Sequence, residues 1–112
     1  MAKPTSEEMW NALDQLRRAL NAAYWEIADQ KEKDRIVELA QDVDDIQDSI
    51  DREEIIGNAA EYKKLKTRVK AVNEKLEAAK DKIDDIVKKV ETATKVVGFI
   101  EKAVKLAAKY FV

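Results

Sequence analysis

Fifteen successive heptad positions between Tyr62 and Phe111 are apolar without exception. With Tyr62 at position a, the a positions are Tyr62, Val69, Leu76, Ile83, Val90, Val97, Val104 and Phe111. The d positions are Leu65, Val72, Ala79, Ile86, Ala93, Ile100 and Ala107. In a chain that is 46% hydrophobic, chance produces such a run on the order of once in 10⁵ trials. A sustained period of 3.5 marks the seam of a coiled coil. Gly98 and the β-branched residues Thr92, Thr94, Val96 and Val97 weaken the helix locally. The heptad phase nevertheless passes through Gly98 unchanged. The pattern therefore predicts one helix, at most bent at Gly98, about 80 Å long.

Punctuation elsewhere is sparse, with two glycines and one proline in 112 residues. Pro4-Thr5-Ser6 marks a helix start, and Thr5 followed by Glu8 has the spacing of a capping box. Gly57-Asn58 is the strong break: glycine accepts the left-handed conformation that ends a helix, and Asn58 with Glu61 can cap the next one. The first arm carries two apolar stripes. Met9, Leu13, Leu16, Leu20, Ala23 and Ile27 form one; Ile36, Leu39, Val43, Ile46 and Ile50 form the other. The nine-residue step from Ile27 to Ile36 is about two and a half turns, so the stripe moves to the opposite face. Between them lies the polar hexapeptide Asp29-Gln30-Lys31-Glu32-Lys33-Asp34, which contains no strong helix breaker. The expected fold is all-α, a single domain over 1–112 built as a long antiparallel, coiled-coil-like helical hairpin. Arm one runs over about 5–56, the turn is 57–58, and arm two is about 59–112. The alternative is a three-helix bundle with the first helix folded back at residues 29–34.

Charge is divided between the arms. Residues 26–56 carry four positive and twelve negative side chains, and residues 57–112 carry fourteen positive and eight negative. The e and g positions of the second arm between 66 and 89 include Lys66, Arg68, Lys75, Lys80, Lys82 and Lys89 and no acid. Such flanks repel a parallel copy and suit the acids Glu38, Asp42, Asp45, Asp48 and Glu54 of the first arm.

The absence of cysteine and histidine excludes disulfide scaffolds, thiolate or imidazole metal sites and His-activated nucleophiles. Neither GxGxxG nor GxxxxGK occurs, so no phosphate-binding glycine loop is present. Asp44-Asp45-Ile46-Gln47-Asp48 resembles the DDxxD of all-helical isoprenoid synthases, and Asp81-Lys82-Ile83-Asp84-Asp85 has the reversed spacing. In the heptad register both sets fall at b, c and f, on the outside, where no water-excluding pocket can form. Glu38 and Asp42 do not have the ExxE or ExxD spacing of small all-helical nucleotide pyrophosphatases. No catalytic, metal or cofactor-binding residues are expected, and the chain reads as non-enzymatic; a Mg-dependent all-α phosphohydrolase is the remote alternative. The run Lys63-Lys64-Leu65-Lys66-Thr67-Arg68-Val69-Lys70 could contact phosphates. With an overall charge of −2 and few interleaved aromatics, it reads instead as one half of a charge match between the arms, and nucleic acid is not an expected partner.

Six of the seven aromatics fall in the half of the hairpin remote from its turn: Trp10, Tyr24, Trp25, Phe99, Tyr110 and Phe111. Over 96–112 the apolar face extends beyond the seam through Val96, Phe99, Ala103, Leu106 and Tyr110, too wide for one partner helix to cover. The expectation is a homodimeric four-helix bundle serving as a protein–protein interaction module, such as an adaptor, regulator or neutralising partner of an unidentified protein. Trp10, Tyr24, Trp25, Phe99, Leu106, Tyr110 and Phe111 are its candidate interaction residues. The alternative is a membrane-surface protein that lays the basic amphipathic segment 95–112 on an anionic bilayer. The start Met1–Glu8 lacks the apolar stretch of a secretory signal and no run long enough to span a bilayer occurs, so the cytoplasm is the expected location. In outline such a hairpin resembles the small secreted WXG-type proteins. The likeness is of shape alone, because Ile56-Gly57-Asn58 stands where their Trp-x-Gly turn would be.

Overall fold

The structure, a computed structural model, describes residues 4–51 and 59–111. Among these, four helices are present: α1 Ser6–Tyr24, α2 Gln30–Asp51, α3 Ala59–Ile86 and α4 Val90–Tyr110. The expected turn at Gly57-Asn58 lies outside the described residues. The helices form a bundle in which α1 packs closely on α2 and α4, while α3 closes the ring more thinly against the same two neighbours. The molecule measures 44 × 28 × 19 Å, with a radius of gyration of 14.1 Å, close to the ~13 Å expected of a compact globule of this length. The 80 Å hairpin is therefore corrected, and so is the three-helix alternative: both arms fold back, not one.

Local chemistry accounts for the first fold-back. The Thr5 hydroxyl accepts the Glu8 N–H at 3.1 Å and opens α1 as its spacing predicts; the Glu8 carboxylate meets the Thr5 hydroxyl at 3.3 Å. At the other end Glu26 N–H reaches back to the Ala23 carbonyl at 2.9 Å, tightening the last turn. Asp29 then caps α2, its Oδ1 accepting from the N–H groups of Lys31 at 2.8 Å and Glu32 at 3.3 Å. The chain thus breaks just ahead of the polar hexapeptide. The break resolves the half-turn offset between the two stripes, since each can now face the same core.

The second fold-back falls at Val87–Lys89, not at Gly98, which sits within α4. Lys89 is the extended N-cap residue of α4 and supplies no side-chain capping bond. The two breaks lie side by side. Ile27 and Val87 pair as an isolated antiparallel bridge, and Lys88 N–H donates to the Glu26 carbonyl at 3.4 Å.

One core runs through the bundle. Leu16, Leu20, Ala23, Val43, Ile83, Val96 and Ile100 have no exposed surface. On α3 the buried stripe is the predicted a/d seam, Leu65, Val69, Val72, Leu76 and Ile83. On α4 it is Ala93, Val96, Ile100, Ala103 and Ala107, which are d and g positions. The buried face thus turns by one heptad position between the two helices. Val97 and Val104 are left half-buried and Val90, an a position, is 79% exposed. Over 96–111 the buried stripe packs within the same chain, largely on α1, while Val97, Phe99, Val104, Leu106 and Tyr110 stay half-buried.

Candidate interaction groove

The sequence-predicted aromatic site does not assemble as one patch. At one end of the α1–α4 pair, the Tyr24 and Trp25 rings meet edge to face at 5.1 Å, and Lys33 Nζ lies 5.0 Å above Tyr24. Trp25 is 80% exposed. At the opposite end Tyr110 and Phe111 meet edge to face at 4.8 Å, Phe111 lies 6.0 Å from Tyr62, and the Tyr110 hydroxyl is 2.8 Å from Ser6 Oγ. Trp10, Phe99 and Leu106 are half-buried against the core between these ends. Phe111 is itself buried.

The acidic motifs lie where the heptad puts them. Asp44, Asp45 and Asp48 on α2, and Asp81, Asp84 and Asp85 on α3, are all exposed. Among the described residues no group of three or more carboxylates is arranged to hold a metal ion, and no helix is long and apolar enough to cross a membrane.

Among the described residues, Lys75 makes the expected charge match between the arms. Lys75 bridges α3 to α2, at 3.5 Å from Glu38 and 3.3 Å from Asp42, and these carboxylates hold its ammonium above the usual lysine range, the Asp42 hydrogen bond most of all. Lys80 turns instead to Glu77 on its own helix at 3.0 Å and to Glu101 on α4 at 3.9 Å. Glu54 lies outside the described residues. Among the described residues, Lys63, Lys66 and Lys70 have no carboxylate within ion-pair distance.

Those three lysines border a groove of about 920 Å³ between α3 and α4. Val69, Ala107 and Phe111 form its apolar floor, Lys63, Lys66 and Lys70 its basic half, and Glu74 and Glu77 its acidic end. A narrower groove of about 290 Å³ flanks α3 on the α2 side, floored by Ile36, Leu39, Ala79 and Ile86 and crossed by Lys75. Both exist because α3 presents only a narrow a/d stripe, with small Ala79 in it and small Ala78 beside it. A helix with so narrow an apolar face cannot fill the space on both sides.

Of the predicted interaction residues, only Phe111 reaches the larger groove. The basic run 63–70 had a signal that pointed there: the second arm carries six more bases than acids, more than its own helix can neutralise. No protein-family model, no curated protein and no solved structure matches the chain.

Proposed function

We propose that the protein is a non-enzymatic interaction module whose α3–α4 groove takes an acidic amphipathic helix from a partner protein. One observation carries this reading: an apolar floor of Val69, Ala107 and Phe111 beside three lysines that have no carboxylate partner among the described residues. Lys63, Lys66 and Lys70 follow one another at three- and four-residue steps, so they line one edge of α3 over about two turns. A partner helix would lay aliphatic side chains at i, i+3 or i+4 and i+7 on the floor and set its acids against this edge. The floor residues are already largely buried by the bundle, so the lysine edge, through its ammonium groups and the aliphatic stems that carry them, supplies the contact and chooses partner and orientation.

The test is an NMR titration of the intact chain with a model helical peptide that alternates leucine and glutamate faces. Phosphatidylglycerol-containing vesicles form a parallel arm. Amide shifts confined to 63–77 and 107–111 are expected. The triple variant Lys63→Glu, Lys66→Glu, Lys70→Glu should weaken binding by at least about tenfold. Equal binding by that variant, or shifts centred elsewhere, rejects the groove. Vesicle binding with a change in helix content would instead promote the basic segment 95–112 as a bilayer-contacting element.

A further inference from the structure

We propose that the α2–α3 groove binds a free single-chain carboxylate amphiphile, with its aliphatic tail between the helices and its carboxylate on Lys82. This site lies on the other flank of α3 from the groove edged by Lys63, Lys66 and Lys70, and does not depend on it. Shape, wall chemistry and charge each point to this class of ligand.

The groove, about 290 Å³, is at the small end of ligand clefts, ~300–1,000 Å³. It is elongated. Along α3 its lining runs from Lys75 to Ile86, roughly 16 Å of helix, and along α2 from Glu32 to Leu39, roughly 10 Å. Lys75 crosses one end to reach Glu38 and Asp42. A narrow space of this form suits a chain better than a ring system.

Ile36 and Leu39 are buried at the bottom. Ala79 and Ile86 are half-buried and Ala78 is exposed, so aliphatic surface stays open along α3. The stems of Arg35, Lys75 and Lys82 continue that surface upward. Among the described residues, no aromatic, hydroxyl or amide side chain lines the groove. A saturated tail meets such walls without burying an unpaired polar group, whereas a sugar, a base or a peptide backbone would bury several.

The charged lining consists of three cations and two carboxylates. Arg35 holds Glu32 at 3.2 Å, and Lys75 holds Glu38 at 3.5 Å. Lys82 is left over, with no carboxylate within ion-pair distance among the described residues. It stands about two turns along α3 from Lys75, on the same face, with Ala78 and Ala79 between them. The groove therefore carries one uncompensated positive charge, away from the end that Lys75 crosses. A single carboxylate balances it and accepts a charge-assisted hydrogen bond from the ammonium group. A cationic head would be repelled.

The experiment is an NMR titration of the full chain with decanoate, kept monomeric. Decyltrimethylammonium, with the same tail and the opposite charge, forms the second arm. Saturable amide shifts at 32–39 and 78–86 are expected with decanoate, and binding of the cation should be at least about fivefold weaker. Lys82→Glu, a substitution at an exposed position, should reverse that preference. Ala79→Leu, which fills the groove, should weaken both ligands. Equal affinity of the wild type for the two heads means an adventitious additive only and would overturn the proposal. So would decanoate shifts centred on 63–70 and 107–111, or no saturation by about 5 mM. If Ala79→Leu fails to fold, Lys82→Glu still decides, since a preference unchanged in that variant overturns the carboxylate site.

Discussion

Gln47, whose side chain is buried on α2, donates its amide to Asp14 Oδ1 on α1 at 3.2 Å. Asp14 is also held by Arg17 at 2.8 Å and Arg18 at 3.0 Å, and Arg17 reaches Asp44 on α2 at 3.8 Å. This network crosses the tightest interface of the bundle. Asp14→Ala strands a buried amide and is expected to cost about 1–3 kcal/mol. Gln47→Leu removes the amide and leaves Asp14 with its arginines, so it should cost less. The double variant should cost clearly less than the sum, and urea melts of the four proteins measure that coupling.

Asp14 also sets an acid limit. The Arg17 hydrogen bond, followed by that of Gln47, holds its carboxyl below the usual value of 3.8. A group whose folded value is depressed contributes stability that is present above the unfolded value and is lost as pH falls through the folded one. The wild type should therefore exceed Asp14→Asn in stability at about pH 6, and the difference should shrink below about pH 3.8. Denaturant melts across that range check it. A difference independent of pH would mean that the charge of Asp14 contributes nothing.

Gly98 lies within α4, and a methyl group built on it meets nothing within 4 Å. Gly98→Ala should raise stability by about 0.5–1 kcal/mol, because the flexible glycine loses more conformational freedom on folding. A rise in the thermal midpoint with unchanged mass would show it. A fall would mean that the helix bends there in solution.

Ile83 is fully buried, Ile86 half-buried and Asp84 exposed. Ile83→Asp should destabilise by several kcal/mol, on the order of a third or more of the total stability of a small domain. Ile86→Asp should cost less, and Asp84→Asn less than about 0.5 kcal/mol. Thermal melts followed by circular dichroism give the order, and inversion of any pair would contradict the α3 register.

Helical structure throughout the described residues, the start at Thr5, the a/d stripe of α3 and the outward position of both acidic motifs are legible in the sequence by itself. Each rests on a local rule, either a cap within three residues or a repeat within one helix. The antiparallel register is legible too, because the hairpin pairing survives in both halves of the bundle. The break at Val87–Lys89 is not, since its residues are permissive of helix and the heptad crosses it in phase. Nor is the turn of the buried face from a/d on α3 to d/g on α4, nor the groove bordered by Lys63, Lys66 and Lys70. Those were decided by tertiary structure. Ending two helices at one level costs a few backbone hydrogen bonds, some regained through the Asp29 cap and the Glu26–Lys88 contact, whereas closing the hairpin adds the α1–α2 and α3–α4 packing to the pairings an open hairpin already has. That gain comes from contacts between residues far apart in the chain, which no pattern within a single helix records.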